Sequence, residues 1–250
     1  MSRIYEALQQ AQRERKGLER PDLPLLESPA AARAAADSPG LDMEREMIVL
    51  YQNICFLLPD VTNHVIQFLG SLPGEGTSTI VREFSKVLTT LLNKTVLLLD
   101  ADRRSPNQQL VFNVKPRYGW EDILEDRETI DKAVYQIGNS RLFLCPVSPH
   151  STVDAHISDS PKMGELLGGL RERYDLILLD CPPVATSSDG LALCRRTDGV
   201  VMVLGAEETR WPVADKTKNQ IIKAGGNILG LVLNKRRHHI PNFLYKQLGF

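Results

Sequence analysis

Val65-Ile66-Gln67-Phe68-Leu69-Gly70-Ser71-Leu72-Pro73-Gly74-Glu75-Gly76-Thr77-Ser78-Thr79 decides the fold. An apolar run leads into a glycine-bearing turn, and helical periodicity then runs from Ser78 to about Leu92. Strand, loop and helix in that order make a phosphate cradle. Glycines let backbone N–H groups face inward, and the positive end of the helix dipole sits behind them. The usual pattern is G-x-x-x-x-G-K-[ST]. Here Ser71 stands at the first glycine, Gly76 at the second and Ser78 at the Mg²⁺-ligating hydroxyl, while Thr77 occupies the lysine position. The stretch reads as a P-loop without its cation.

Working outward, two further strands end on carboxylates. Thr95–Asp100 is an apolar strand closing on Asp100-Ala101-Asp102, and Tyr174–Asp180 closes on Asp180-Cys181-Pro182-Pro183. Apolar strands separated by helices belong to parallel sheets, and ligands in such sheets bind beyond the carboxyl ends of the strands. Asp100 and Asp102 are suited there to Mg²⁺ or general-base work. A solvated strand end is the plain alternative, and proximity to the glycine loop favours the functional one. Four hydrophobic residues followed by Asp180 fit a Walker B strand, whose acid holds Mg²⁺ through water. Further strands are expected at His64–Ser71, Arg141–Val147, Val200–Leu204 and Ile228–Asn234, and helices at 42–58, Pro161–Arg173 and Trp211–Ala224. The fold class is therefore α/β: a doubly wound, mainly parallel β-sheet of roughly six to eight strands with helices on both faces.

The flanks read differently. Ile4, Leu8 and Ala11 share one helical face, so residues 1–20 read as a short helix that needs a partner to be stable. Pro21, Pro24, Pro29 and Pro39 make 21–41 a flexible linker. Residues 42–250 form the remaining domain. Net charge is −1 in 250 residues, which gives no overall pull toward nucleic acid. The run Lys235-Arg236-Arg237-His238-His239 is short and reads as a solvated end or a nucleotide-side rim. No apolar run approaches the roughly 18 residues of a membrane span, and the N-terminus has no signal-peptide core. Cys55, Cys145, Cys181 and Cys194 form no C-x-x-C pair and read as buried thiols in a reducing cytoplasm.

Pro73–Thr79, Leu98–Arg104 and Leu178–Pro183, taken in this order, resemble the bacterial tyrosine kinases (BY-kinases) of capsule and exopolysaccharide synthesis, within the MinD/ParA group of P-loop ATPases. The likeness extends from about 42 to 245 through Asp198-Gly199-Val200-Val201 and Gly230-Leu231-Val232-Leu233-Asn234, and Ser2–Leu8 is similar to members encoded with exopolysaccharide chain-length systems. The resemblance implies that Gly74, Glu75, Gly76, Thr77, Ser78 and Thr79 bind the phosphates of ATP or ADP and that Ser78, Asp100 and Asp180 serve Mg²⁺. It also implies that Asp100 and Asp102 activate an acceptor tyrosine, with Asp180 the Walker B acid, and that Asn234 contacts adenine. The implied partner is the cytoplasmic end of an inner-membrane polysaccharide co-polymerase, which would recruit a cytoplasmic chain to the membrane's inner face. A homo-oligomer is also implied, and neither nucleic acid nor a membrane span of its own is expected.

The chain departs from that pattern at three places. Thr77 replaces the lysine, Tyr245 alone stands near the end where a tyrosine cluster is usual, and the family's E-x-x-R-x-x-R oligomerisation helix is not legible in Glu44–Tyr51. Losing one charge-assisted phosphate contact costs roughly 1.5–3 kcal/mol, about tenfold to a hundredfold in binding. Arg103 and Arg104 are the candidate substitute cations. The leading expectation is a catalytically impaired, pseudokinase-like regulator or assembly partner. The first alternative is an active tyrosine kinase using a substitute cation, with Tyr245 as its phospho-acceptor. A MinD/ParA-like positioning ATPase comes next, although Pro73 stands where its signature lysine would be. A nicotinamide-dependent oxidoreductase is weaker, because Thr79 replaces the third glycine of its fingerprint.

Overall fold

The computed structural model describes residues 43–59, 63–151 and 157–236. The docking helix expected over 1–20, the linker over 21–41 and Tyr245 lie outside these residues.

The described chain runs α1 (Met43–Leu57), β1 (His64–Gly70), α2 (Thr77–Thr90), β2 (Val96–Asp100), α3 (Gln108–Val111), α4 (Trp120–Leu124), α5 (Ile130–Ala133), β3 (Tyr135–Gln136), β4 (Leu142–Cys145), α6 (Pro161–Arg171), β5 (Leu176–Asp180), α7 (Asp189–Leu193), β6 (Gly199–Gly205), α8 (Trp211–Lys223) and β7 (Ile228–Asn234). The strands form one seven-stranded sheet in the order β3-β4-β2-β5-β1-β6-β7. Every pairing is parallel except β3 with β4.

Side-chain alternation divides the core between the two faces of the sheet. Val65, Leu69, Leu97, Leu99, Ile177 and Leu179 face one side, where Met163, Leu166, Leu167 and Leu170 of α6 cover them. Ile66, Phe68, Val96, Leu98 and Leu178 face the other, under α2 and the Met47 and Ile54 side chains of α1. The apolar residues of α2 recur at three- and four-residue spacing (Ile80, Val81, Phe84, Val87, Leu88), so a single stripe meets the sheet. Strands β1, β2, β5 and β6 are buried throughout, as strands covered on both faces must be.

The differences from expectation are local. Helix α2 starts at Thr77, because Gly76 at φ 88° and ψ 22° forms its left-handed N-cap. The strand at 141–147 shortens to β4, whose continuation at Pro146 accepts the Trp120 N–H at 3.1 Å instead of adding to the sheet. The edge strand β3 gave no sequence signal, being two residues long. Of the four cysteines, Cys55 is half-buried, not buried. Among the described residues no helix is long and apolar enough to cross a membrane.

Candidate functional site

Register places the site. Asp100 pairs with Asp180 across β2 and β5, and Asp180 pairs with Phe68 of β1. The carboxyl ends of three adjacent strands therefore open together beside the loop 71–76. Gly74 and Gly76 sit at φ 86° and 88°, a conformation that a side chain would strain, and they curl the loop over the start of α2. The first turn of α2 offers its N–H groups there, with the helix dipole behind them.

A cleft of about 510 Å³ opens at this point. The predicted residues Gly74, Glu75, Gly76, Thr77, Ser78 and Asp102 are on its wall, and Arg104 and Asn107 join them. Ser78 Oγ donates to Asp180 Oδ1 at 3.1 Å, which brings the predicted Mg²⁺ hydroxyl and the predicted Walker B acid together. This donor set of hydroxyl, carboxylate and loop amides fits a hydrated Mg²⁺ and a nucleotide phosphate chain.

Asp100, Thr79 and Asn234 stand apart from the cleft wall. Asp100 is fully buried and is occupied with backbone. Its Oδ2 accepts from Asn107 N at 3.1 Å and Gln108 N at 3.0 Å, and its Oδ1 accepts from Asp102 N at 3.2 Å. Asp102 lies nearer the cleft, and its Oδ1 accepts from Arg104 N and Ser105 N, each at 3.1 Å. Thr79 is exposed and receives Arg82 Nη2 at 3.4 Å. Asn234 lines a second cleft of about 390 Å³ with Met47 and Lys235, and its Nδ2 donates to Glu75 O at 2.9 Å.

The two substitute cations part company. Arg104 is exposed on the cleft rim. Arg103 turns into the core, its Nε 3.6 Å from Glu121 and its Nη1 3.9 Å from Asp189, with the guanidinium 6.0 Å from the centre of the Trp120 ring. It is therefore not a phosphate cation, and the expectation for it is corrected. An arginine one residue past the acid pair belonged, on sequence, equally to either face of the turn.

Gln108 carried no sequence signal, yet it is central. Its Nε2 donates to Ser78 O at 3.0 Å and to Asp180 Oδ2 at 2.7 Å, and it is completely buried.

Burial sets the charge state of this centre. It raises the Asp100 carboxyl well above the ordinary range, and the neighbouring Asp180 charge raises it further. Burial likewise pushes Asp180 up to about 6, against the hydrogen bonds from Gln108 and Ser78. An acid with a raised native pKa holds a proton that the unfolded chain releases. The contribution of Asp180 to stability is thus most favourable below about 3.8, falls as pH rises toward about 6, and stays reduced above it. The penalty at neutral pH is about 3 kcal/mol. Asp180→Asn keeps an acceptor for Gln108, and Ser78 can reverse its hydroxyl toward the new amide. It is expected to raise Tm at pH 7 by about 6–12 °C and to change it little at pH 3.5, as read by thermal unfolding at both pH values.

No family model matches the chain. It is 28% identical over 205 residues to the putative tyrosine-protein kinase EpsB of Ralstonia solanacearum, covering 81% of this chain and 26% of that protein. The VpsO kinase domain superposes with a TM-score of 0.68 at 28% identity, over 78% of this chain and 96% of that one. The chain is a homologue of the bacterial tyrosine kinases. It spans about a quarter of the length of the Ralstonia kinase. At the level of fold alone it also matches the septum site-determining protein MinD of Pyrococcus horikoshii, solved with Mg-ADP, with a TM-score of 0.59 at 22% identity over 74% of this chain and 77% of that one. The fold is therefore that of the P-loop NTPases shared by BY-kinases and MinD.

Proposed function

We propose that this BY-kinase homologue is a catalytically impaired regulator or assembly partner in exopolysaccharide production. One observation carries the reading. The side chain at the lysine position is Thr77, and Arg103, one of the two candidate replacement cations, is engaged with Glu121 and Asp189 in the core. Phosphoryl transfer depends on positioned positive charge around the transferring group. A loop with amides and a hydroxyl but no ammonium retains weak phosphate binding and loses most of that stabilisation.

In this reading Gly74, Gly76 and Ser78 hold the phosphates of ATP or ADP, and Ser78 with Asp180 holds Mg²⁺, which supplies the site's main positive charge. Asp102 orients groups at the cleft mouth. Residues 1–20 dock the chain on the cytoplasmic end of a membrane chain-length protein, and Tyr245 is not an efficient acceptor. The rim position of Arg104 supports the second reading, an active tyrosine kinase using a substitute cation.

Incubation of the purified full chain with Mg²⁺ and γ-labelled ATP separates the two readings. Weak ATP binding by calorimetry with no label on tyrosine is expected. Tyrosine labelling that disappears in Asp102→Asn and Arg104→Ala would establish the active kinase instead.

A further inference from the structure

The phosphate loop already holds an anion of its own. Glu75 lies between the two positive-φ glycines, and its side chain folds inward until it is 2% exposed. Its Oε2 accepts from Ser71 N at 2.5 Å and from Leu72 N at 2.9 Å, and its Oε1 accepts from the Thr209 hydroxyl. Its hydrogen-bond donors among the described residues are thus uncharged. The carboxylate also sits beside the truncated position 77. A Cβ added at Gly70 would fall 2.8 Å from Glu75 Oε2 and 2.8 Å from Thr77 Oγ1. The residue lines the same cleft as Ser78 and Asp102.

A buried carboxylate in a cradle built for anions has two consequences. It takes two of the loop's N–H groups, and it sets a negative charge beside the space where further negative charge would enter. With lysine at position 77 an ammonium would offset that charge, but a threonine cannot. We propose that Glu75 is the specificity-determining residue of this cleft, a resident anion that excludes phosphate groups unless a cation such as Mg²⁺ accompanies them. The inference rests on the nucleotide reading of the cleft given above and specifies which charge state of ligand it accepts.

Glu75→Gln isolates the charge. The glutamine oxygen can accept from Ser71 and Leu72, and its NH₂ can donate to Thr209 with that hydroxyl reversed, so the hydrogen bonds remain. Calorimetry would compare ATP without Mg²⁺, Mg-ATP, inorganic pyrophosphate and adenosine. The expected result is affinity for Mg²⁺-free ATP and pyrophosphate raised by about tenfold or more, the effect of removing one short-range like charge from a half-dry site. The gain for Mg-ATP should be smaller, and adenosine should be unaffected. Thr209→Val, which removes a hydrogen bond but leaves the charge, should give no gain.

Unchanged or weaker phosphate binding by a folded Glu75→Gln chain overturns the inference and leaves Glu75 a loop strut. So does an equal gain for adenosine. Thr77→Lys serves as the independent control. If it binds ATP while Glu75→Gln gains nothing, this inference fails and the nucleotide reading stands. If wild type and all of the variants ignore every phosphate probe, both fail together.

Discussion

Thr77→Lys is expected to tighten Mg-ATP binding tenfold to a hundredfold, and to raise phosphate transfer by a larger factor. The first number follows from restoring one charge-assisted contact in a partly dry site, worth roughly 1.5–3 kcal/mol. The second follows because phosphoryl transfer is accelerated by charge held where the transition state needs it. The parts that such a lysine requires are in place. Gly76 caps α2 in the left-handed conformation, and Ser78 hydrogen-bonds Asp180 at 3.1 Å. Thr77 itself is 7% exposed at the head of the helix and lines the cleft, so a longer side chain has the cleft to extend into. The Glu75 carboxylate supplies a partner for the ammonium when no nucleotide is present, which offsets the cost of bringing a new charge to a buried position. Calorimetric titration checks the affinity and incorporation of label from γ-labelled ATP checks the transfer. Equal affinity in the two proteins would mean that the loop is not a phosphate cradle, whatever its glycines suggest. Tighter binding with no transfer would place the remaining defect at the acceptor rather than at the phosphate loop.

The central sheet was legible because its strands have no other way to fold. Val96-Leu97-Leu98-Leu99 and Leu176–Leu179 are apolar at every position, which suits only strands buried on both faces, and each stops on an acid at the same sheet edge. The glycine loop was legible for a similar reason, since Gly74 and Gly76 take up backbone angles that other residues avoid. What sequence did not reveal is where polar side chains turn once the backbone is set. Asp100 and Asp102 are two residues apart and looked equivalent, but Asp100 is spent on the amides of Asp102, Asn107 and Gln108, while Asp102 reaches the cleft wall. Glu75 was expected among the phosphate-binding residues of the loop, but its side chain is folded under the loop and accepts from the Ser71 and Leu72 N–H groups. Gln108 sits in a short helix whose position depends on Asp100, so no local pattern announced it. These outcomes are decided by long-range hydrogen-bond satisfaction, which hydrophobic periodicity does not encode.

Arg103→Met is expected to cost about 3–5 kcal/mol of stability, a large part of what holds a domain folded. The guanidinium side chain is 1% exposed, and it faces the Glu121 side chain, also 1% exposed, and the Asp189 side chain at 7%. Removing the cation leaves two carboxylates in a poorly solvated place without their counter-charge. Their surroundings limit relaxation. Glu121 Oε2 is already committed to Ser148 N at 2.7 Å, and the Trp120 indole beside it donates to Asp100 O at 2.9 Å. The pH dependence follows from Glu121, whose carboxyl is raised by burial and lowered in part by Arg103. Without the arginine it rises further. A protonated Glu121 tolerates the loss and an ionised one does not, so the deficit should grow as pH rises through the raised value and shrink on acidification. Urea unfolding at pH 5 and pH 8 reads this directly, and Glu121→Gln in the Arg103→Met background should recover part of the loss at pH 8. The same variant also tests the site. If Arg103 were the cation that replaces the missing lysine, Arg103→Met would fold normally and lose about tenfold in ATP affinity. A structural cation gives the opposite pattern: a clear loss of stability, with little change in affinity for whatever fraction remains folded.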